Sequence, residues 1–155
     1  MDKHRSENMA EILSLSTIQM KATASSKEDA IRQAGALLVN ANCVHPDYVN
    51  GMLEREKTMS TFAGNGVSIP HGQFNDLSLV YRTGISVLQV PDGVEWEDGE
   101  KVYLVVGIAA KGEEHIQVLA NLANVLEDEN TAQLLAQTDD PQVILGYLNN
   151  PVKEE

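Results

Sequence analysis

Apolar and polar positions change their period several times along the chain, and each change marks an element. Ile18 and Met20 alternate with Gln19 and Lys21, the two-residue period of a short strand. From Ala30 the period lengthens. Ala30, Ile31, Ala34, Leu37, Leu38 and Ala41 fall on one face of a helix. Ser25 and Ser26 each stand three residues before an acid, Glu28 and Asp29, a capping signal that places the helix start there. Gly35 lowers the local propensity without breaking the pattern. A second helix is expected from Pro46, a good first-turn residue, with Tyr48, Val49, Met52 and Leu53 as its buried stripe. Arg55, Glu56 and Lys57 make its end polar. Residues 60–66 read as a loop carrying Gly64 and Gly66. Val67-Ser68-Ile69 reads as a short strand stopped by Pro70.

The second half continues the interleaving. Residues 84–90 have the pattern of a strand, and 91–99 that of a turn-rich connection holding the single tryptophan, Trp96. Residues 102–110 are nearly all apolar, as in a central strand buried on both faces. A helix is expected over 113–126 with Ile116, Leu119, Ala120, Ala123 and Leu126 inward. A short helical piece follows at 131–137. Asp140-Pro141 opens a last helix with Val143, Ile144, Tyr147 and Leu148 inward. Residues 1–10 are a polar arm, and Ile12, Leu13 and Leu15 add a short apolar patch. Strands alternating with helices argue for an α/β sandwich, helices covering a sheet, in one unit without repeats or linkers.

Composition narrows the function. A length of 155 residues suits one domain with a real core. The 11 Lys and Arg against 23 Asp and Glu leave a formal charge of −12. That sign is opposite to the basic footprint of a nucleic-acid binder, and it disfavours an anionic membrane surface. One cysteine, Cys43, excludes an internal disulfide framework and a multi-cysteine metal site. No apolar run has the length of a membrane-spanning helix, and no signal peptide is recognised, so a cytoplasmic setting is expected.

Candidate chemistry rests on histidine. His4 lies in the polar arm, and His45 precedes Pro46, where a local structural role is expected. His71 is different: Pro70 stiffens its approach and Gly72 removes bulk beyond it, so its imidazole would be fixed yet reachable. His115 falls in the first turn of the helix after the central strand, where α/β proteins often place sites. A fixed imidazole is a competent nucleophile near neutral pH and can take and pass on a phosphoryl group. The added charge needs donors, which Arg55 and His115 could supply. The bland alternatives are a simple Pro-His-Gly turn and a surface histidine. No HExxH or close His/Cys spacing supports zinc.

Four segments carry a resemblance to a known family. They are SSKEDAIRQAG (25–35), HPDYVNGMLEREKTMSTFAGNGVSIPHG (45–72), LVVGIAAKGEEHIQVLANLANVLEDE (104–129) and the closing helix. In this order they resemble the EIIA domain of the bacterial phosphoenolpyruvate-dependent sugar phosphotransferase system, mannitol/fructose type. MLEREK, SIPHG and EEHIQV look closer to the mannitol subtype. The resemblance implies a mixed β-sheet flanked by helices over residues 17–150, with an N-terminal arm at 1–16 and a tail at 151–155. It implies a cytoplasmic phosphocarrier that needs no cofactor or metal. The donor would be the phosphohistidine of the carrier protein HPr, and the acceptor a cysteine of an EIIB partner during uptake of mannitol or a related sugar. His71 matches the phosphorylated histidine, phosphorylated on Nε2 in the family. His115 matches the second active-site histidine and Arg55 the associated arginine. Thr61 falls on a family-like position without an assigned role. With no membrane span, and with Cys43 outside any phosphate-binding loop, EIIB is expected on another chain. The alternative is a regulatory EIIA-like module whose phosphorylation state controls partner proteins.

Overall fold

A computed structural model describes residues 12–111 and 114–148, the side chains of 74, 75, 114–116 and 118 excepted. Residues 1–11 and 149–155, which include most of the expected arm and the tail, lie outside the described residues. After a 3-10 turn at Leu15–Thr17 come β1 (Ile18–Gln19), α1 (Lys27–Asn40), α2 (Tyr48–Thr58), β2 (Phe62–Gly64) and β3 (Val67–Ser68). A second 3-10 segment, Phe74–Leu79, leads to β4 (Gly84–Glu97), β5 (Glu100–Ala109), α3 (Glu114–Leu126), α4 (Glu129–Gln137) and α5 (Pro141–Leu148).

The five strands form one mixed sheet in the order β1-β4-β5-β3-β2. β1 with β4 and β3 with β5 are parallel; β4 with β5 and β2 with β3 are antiparallel. β5 is central, as its unbroken apolar run implied. Its alternate residues feed two cores. Leu104, Val106 and Ile108 meet Leu122, Leu135 and Ile144 of the C-terminal helices. Val105 and Ala109 meet Ile31, Ala34, Leu38 and Met52 of α1 and α2. Each Val, Leu, Ile or Met side chain buried in this way contributes roughly 1.5–3 kcal/mol of transfer free energy.

Helix α1 starts as its capping signal predicts. The Ser26 hydroxyl accepts the Asp29 N–H (3.1 Å), and the Asp29 carboxylate accepts the Ser25 N–H (2.9 Å). The Ser25 backbone donor, with the Gln33 and Ser25 side chains helping, holds the Asp29 carboxyl below the usual carboxylate range. Gly35 marks where α1 and α2 cross: a Cβ there would lie 2.8 Å from Val49 Cγ2.

Several expectations are corrected. Residues 91–99 are not a connection. β4 continues to Glu97 through a register shift between Gln89 and Val94, with Gly93 at φ +82°, because Val94 and Trp96 still alternate inward. The 60–66 loop contains β2, joined to β3 by a tight hairpin in which Asn65 (φ 55°) and Gly66 (φ 76°) take left-handed conformations. Helix α2 begins at Tyr48, not Pro46, because the Tyr48 and Val49 N–H groups bond the His45 and Pro46 carbonyls in a tighter entry turn. In α3 the stripe is Leu119, Leu122, Val125 and Leu126, whereas Ala120 and Ala123 are exposed; the larger side chains set the buried face. The Ile116 side chain lies outside the described residues. Helix α4 begins at Glu129 rather than 131. In α5, Ile144 and Leu148 occupy the core one turn apart, and Tyr147 is left 42% exposed.

Candidate active site

His71 stands where the strand ladder ends, beside the last residues of β5. The Ile108 N–H donates to the Pro70 carbonyl (3.0 Å), and His71 itself pairs with Ile108 in an isolated parallel bridge. The ring is half-buried, and its Nδ1 lies 2.9 Å from the Ile69 carbonyl oxygen. A carbonyl can only accept, so Nδ1 carries the hydrogen of the neutral ring and Nε2 carries the lone pair. The backbone two residues upstream thus fixes which ring nitrogen keeps its lone pair.

The turn after His71 is fixed from α2. The Gly72 N–H donates to the Tyr48 hydroxyl (2.9 Å), which donates in turn to the Ile108 carbonyl (2.9 Å). A Cβ on Gly72 would lie 2.5 Å from Tyr48 Cε1, so only glycine lets the turn approach the ring this closely. The Gln73 N–H donates to Asp76 Oδ2 (2.7 Å), and Asp76 sits against Gly51, where any Cβ would collide with its carboxylate. Burial, with the Asp76 charge adding to it, pushes the Tyr48 phenol up to about 12. The two backbone N–H groups that follow His71 are therefore committed to Tyr48 and Asp76. Charge on an incoming anion must be met by other donors.

Arg55 lies two helical turns beyond Tyr48 on the same face of α2. Its Nη1 donates to the Met59 carbonyl (2.6 Å), using one of five guanidinium N–H donors. Its neighbour Glu56 turns inward and is 6% exposed. It accepts the Thr61 hydroxyl (2.6 Å), the Thr61 N–H (3.0 Å) and the Trp96 indole N–H (3.0 Å). Lys27 Nζ lies 3.8 Å from the same carboxylate and 5.9 Å from the Trp96 ring centroid. The family-like position Thr61 is thus a buried anchor, its hydroxyl bonded to Glu56.

His115 is the second residue of α3, as expected; its side chain lies outside the described residues. It follows Ile108, the strand partner of His71, by only seven positions, so the first turn of α3 starts from the sheet end that holds His71. His45 has the local role expected of it, its Nδ1 accepting the Asp47 N–H (3.0 Å). Cys43 is buried in the α1–α2 connection. Sequence reasoning placed Tyr48 in a core stripe and missed its bonds to the His71 turn. It gave no role to Asp76, and left Glu56 on a polar helix end. No local pattern marks these residues, because each acts on a segment distant in sequence. Among the described residues no group of three His, Cys, Asp or Glu side chains is arranged to hold a metal ion, and no helix is long and apolar enough to cross a membrane.

Comparison with known proteins agrees with this architecture. Residues 11–150 match the family described as "Phosphoenolpyruvate-dependent sugar phosphotransferase system, EIIA 2". A multiphosphoryl transfer protein of Xanthomonas campestris pv. campestris is 48% identical over 131 residues, which are 84% of this chain but 16% of that protein. A mannitol-specific phosphotransferase enzyme IIA component of Halalkalibacterium halodurans is 44% identical over 137 residues, 88% of this chain and 94% of that one. Among solved structures, the complex of mannitol enzyme IIA and phosphorylated mannitol enzyme IIB from Escherichia coli matches with a TM-score of 0.82 at 38% identity. That match covers 88% of this chain and 97% of the matched chain.

Proposed function

The chain belongs to the EIIA 2 family of the phosphoenolpyruvate-dependent sugar phosphotransferase system, and from that premise we propose that it relays a phosphoryl group on His71. The observation that carries the reading is the Nδ1 contact to the Ile69 carbonyl, which presents Nε2 as the nucleophile. The donor is the phosphohistidine of HPr, with its other ring nitrogen protonated. The Nε2 lone pair forms the new N–P bond as the donor N–P bond breaks, its electron pair returning to the donor ring. The donor departs as neutral imidazole. The His71 ring becomes an imidazolium bearing the phosphoryl group, and the Ile69 carbonyl stabilises its Nδ1–H. Arg55 and His115 steady the phosphoryl oxygens. An EIIB cysteine thiolate then attacks phosphorus, an S–P bond forms, and Nε2 recovers its lone pair.

The relative solved with phosphorylated enzyme IIB supports that acceptor, and the mannitol-specific relative supports a role in uptake of mannitol or a related sugar. The work is cytoplasmic, on the face of the membrane where the donor resides. The −12 charge favours encounter with a basic docking face. Radiolabelled phospho-HPr should transfer its label to the wild-type chain and not to His71→Ala. His115→Ala should accept the label and pass it poorly to EIIB. Undiminished labelling of His71→Ala would sink the proposal, and recovery of a kinase or transcription factor alone in a pull-down would move it to the regulatory alternative.

A further inference from the structure

We propose that Tyr48 is a positioning residue for transfer at His71, its hydroxyl setting the pitch of the 70–72 turn and so the line along which Nε2 meets phosphorus. The proposal rests on the phosphocarrier reading above.

Three connections meet at Ile108. Its N–H bonds the Pro70 carbonyl, its own carbonyl takes the Tyr48 O–H, and its bridge partner is His71. Tyr48 adds the fourth link by accepting the Gly72 N–H. One hydroxyl therefore ties the residue after the nucleophile to the strand residue beside it. Packing alone does not ask for this group, since phenylalanine would fill the same space. The oxygen is needed because it satisfies a donor on one side and an acceptor on the other. The ring presses on the turn so closely that Gly72 has no room for a Cβ.

The phenol is held well above the pH of any transfer assay, so it keeps its proton and both bonds persist throughout. The side chain is 4% exposed, so it is shielded from a docking protein. Its effect must pass through the backbone to His71. Without the hydroxyl the turn keeps its Pro70 bond to Ile108 but loses the tie at Gly72, on the far side of His71, and the Nδ1–H contact to Ile69 loosens with it. The ring would then sample the other tautomer, whose lone pair is on Nδ1 and which cannot attack from Nε2.

The test uses the full chain as Tyr48→Phe, read in two ways. Imidazole 15N shifts report the His71 tautomer, and steady-state transfer from phospho-HPr reports kcat and KM. Wild type should show the Nδ1–H form alone. Tyr48→Phe should show a mixture, with kcat down on the order of ten- to a hundredfold and KM within about twofold, as misplacement of a docked nucleophile implies. Gly72→Ala, which disturbs the same contact from the other side, should give the same pattern. Wild-type kcat and tautomer in Tyr48→Phe, or a loss confined to KM, would overturn the proposal. So would an unfolded Tyr48→Phe beside a folded Gly72→Ala that transfers normally. A wild-type chain that accepts no phosphoryl group would instead overturn the carrier reading, and the tautomer shift alone would then decide the positioning one.

Discussion

Replacing Glu56 separates shape from hydrogen bonding in the structure beneath Arg55. Its carboxylate accepts three hydrogen bonds, two from Thr61 and one from Trp96, at 2.6–3.0 Å, and is 6% exposed. Glu56→Ala strands three donors and opens a cavity. A stranded buried donor costs about 1–3 kcal/mol, and neighbouring losses are not additive, so the expected destabilisation is about 3–5 kcal/mol. For a domain of this size that is a fall in Tm of about 10 °C. Glu56→Gln keeps the shape. Its carbonyl oxygen can serve the Thr61 and Trp96 N–H groups, while its amide donates to the Thr61 hydroxyl, which accepts as readily as it donates. The glutamine variant should lose under about 1.5 kcal/mol, mostly the attraction of Lys27. Urea denaturation of both variants, followed by Trp96 fluorescence, measures the difference. Equal losses in the two, or an alanine variant within about 1 kcal/mol of wild type, would refute the reasoning.

Other outcomes follow from the same geometry. The Tyr48 phenol is raised from its ordinary 10 to about 12, so its neutral form is favoured by the fold. Its contribution is complete below pH 10 and is lost as pH rises through 12, a decline of about 2–3 kcal/mol that Tyr48→Phe should lack in alkaline denaturation curves. Ser26→Ala removes the α1 cap and should cost about 1 kcal/mol by thermal melting, with phosphoryl acceptance unchanged. Arg55→Lys keeps the charge but loses the planar fork, so acceptance from phospho-HPr should slow while the melting temperature barely moves; an unchanged rate would remove Arg55 from the transfer step.

What the sequence disclosed, and what it withheld, follows from range. The capped start of α1, the central position of β5 and the Pro70-His71-Gly72 turn were legible because each is encoded within a few adjacent residues. Asn65-Gly66 was equally local, a strong hairpin signal inside a segment read as loop. The far half of β4 was obscured by Pro91 and Gly93, which usually end strands but here fall at a register shift. The Ala120 and Ala123 assignments failed because alanine is apolar enough to fit a stripe and small enough to be left outside it. The site divides in the same way. His71, His115 and Arg55 became candidates through local motifs, whereas the contacts around them have no local signal. Tyr48 acts on Gly72 and Ile108, and Glu56 on Trp96, across 24, 60 and 40 residues of chain. Only folding brings those pairs together.

If the Ile69 carbonyl fixes the His71 tautomer, phosphorus must join the ring at Nε2. Phosphorylating the 15N-histidine-labelled chain with phospho-HPr and recording 31P–15N correlations tests it directly. One phosphorus resonance should couple to His71 Nε2 and be absent from His71→Ala. Phosphorus coupled to Nδ1, or to any other histidine, would contradict it.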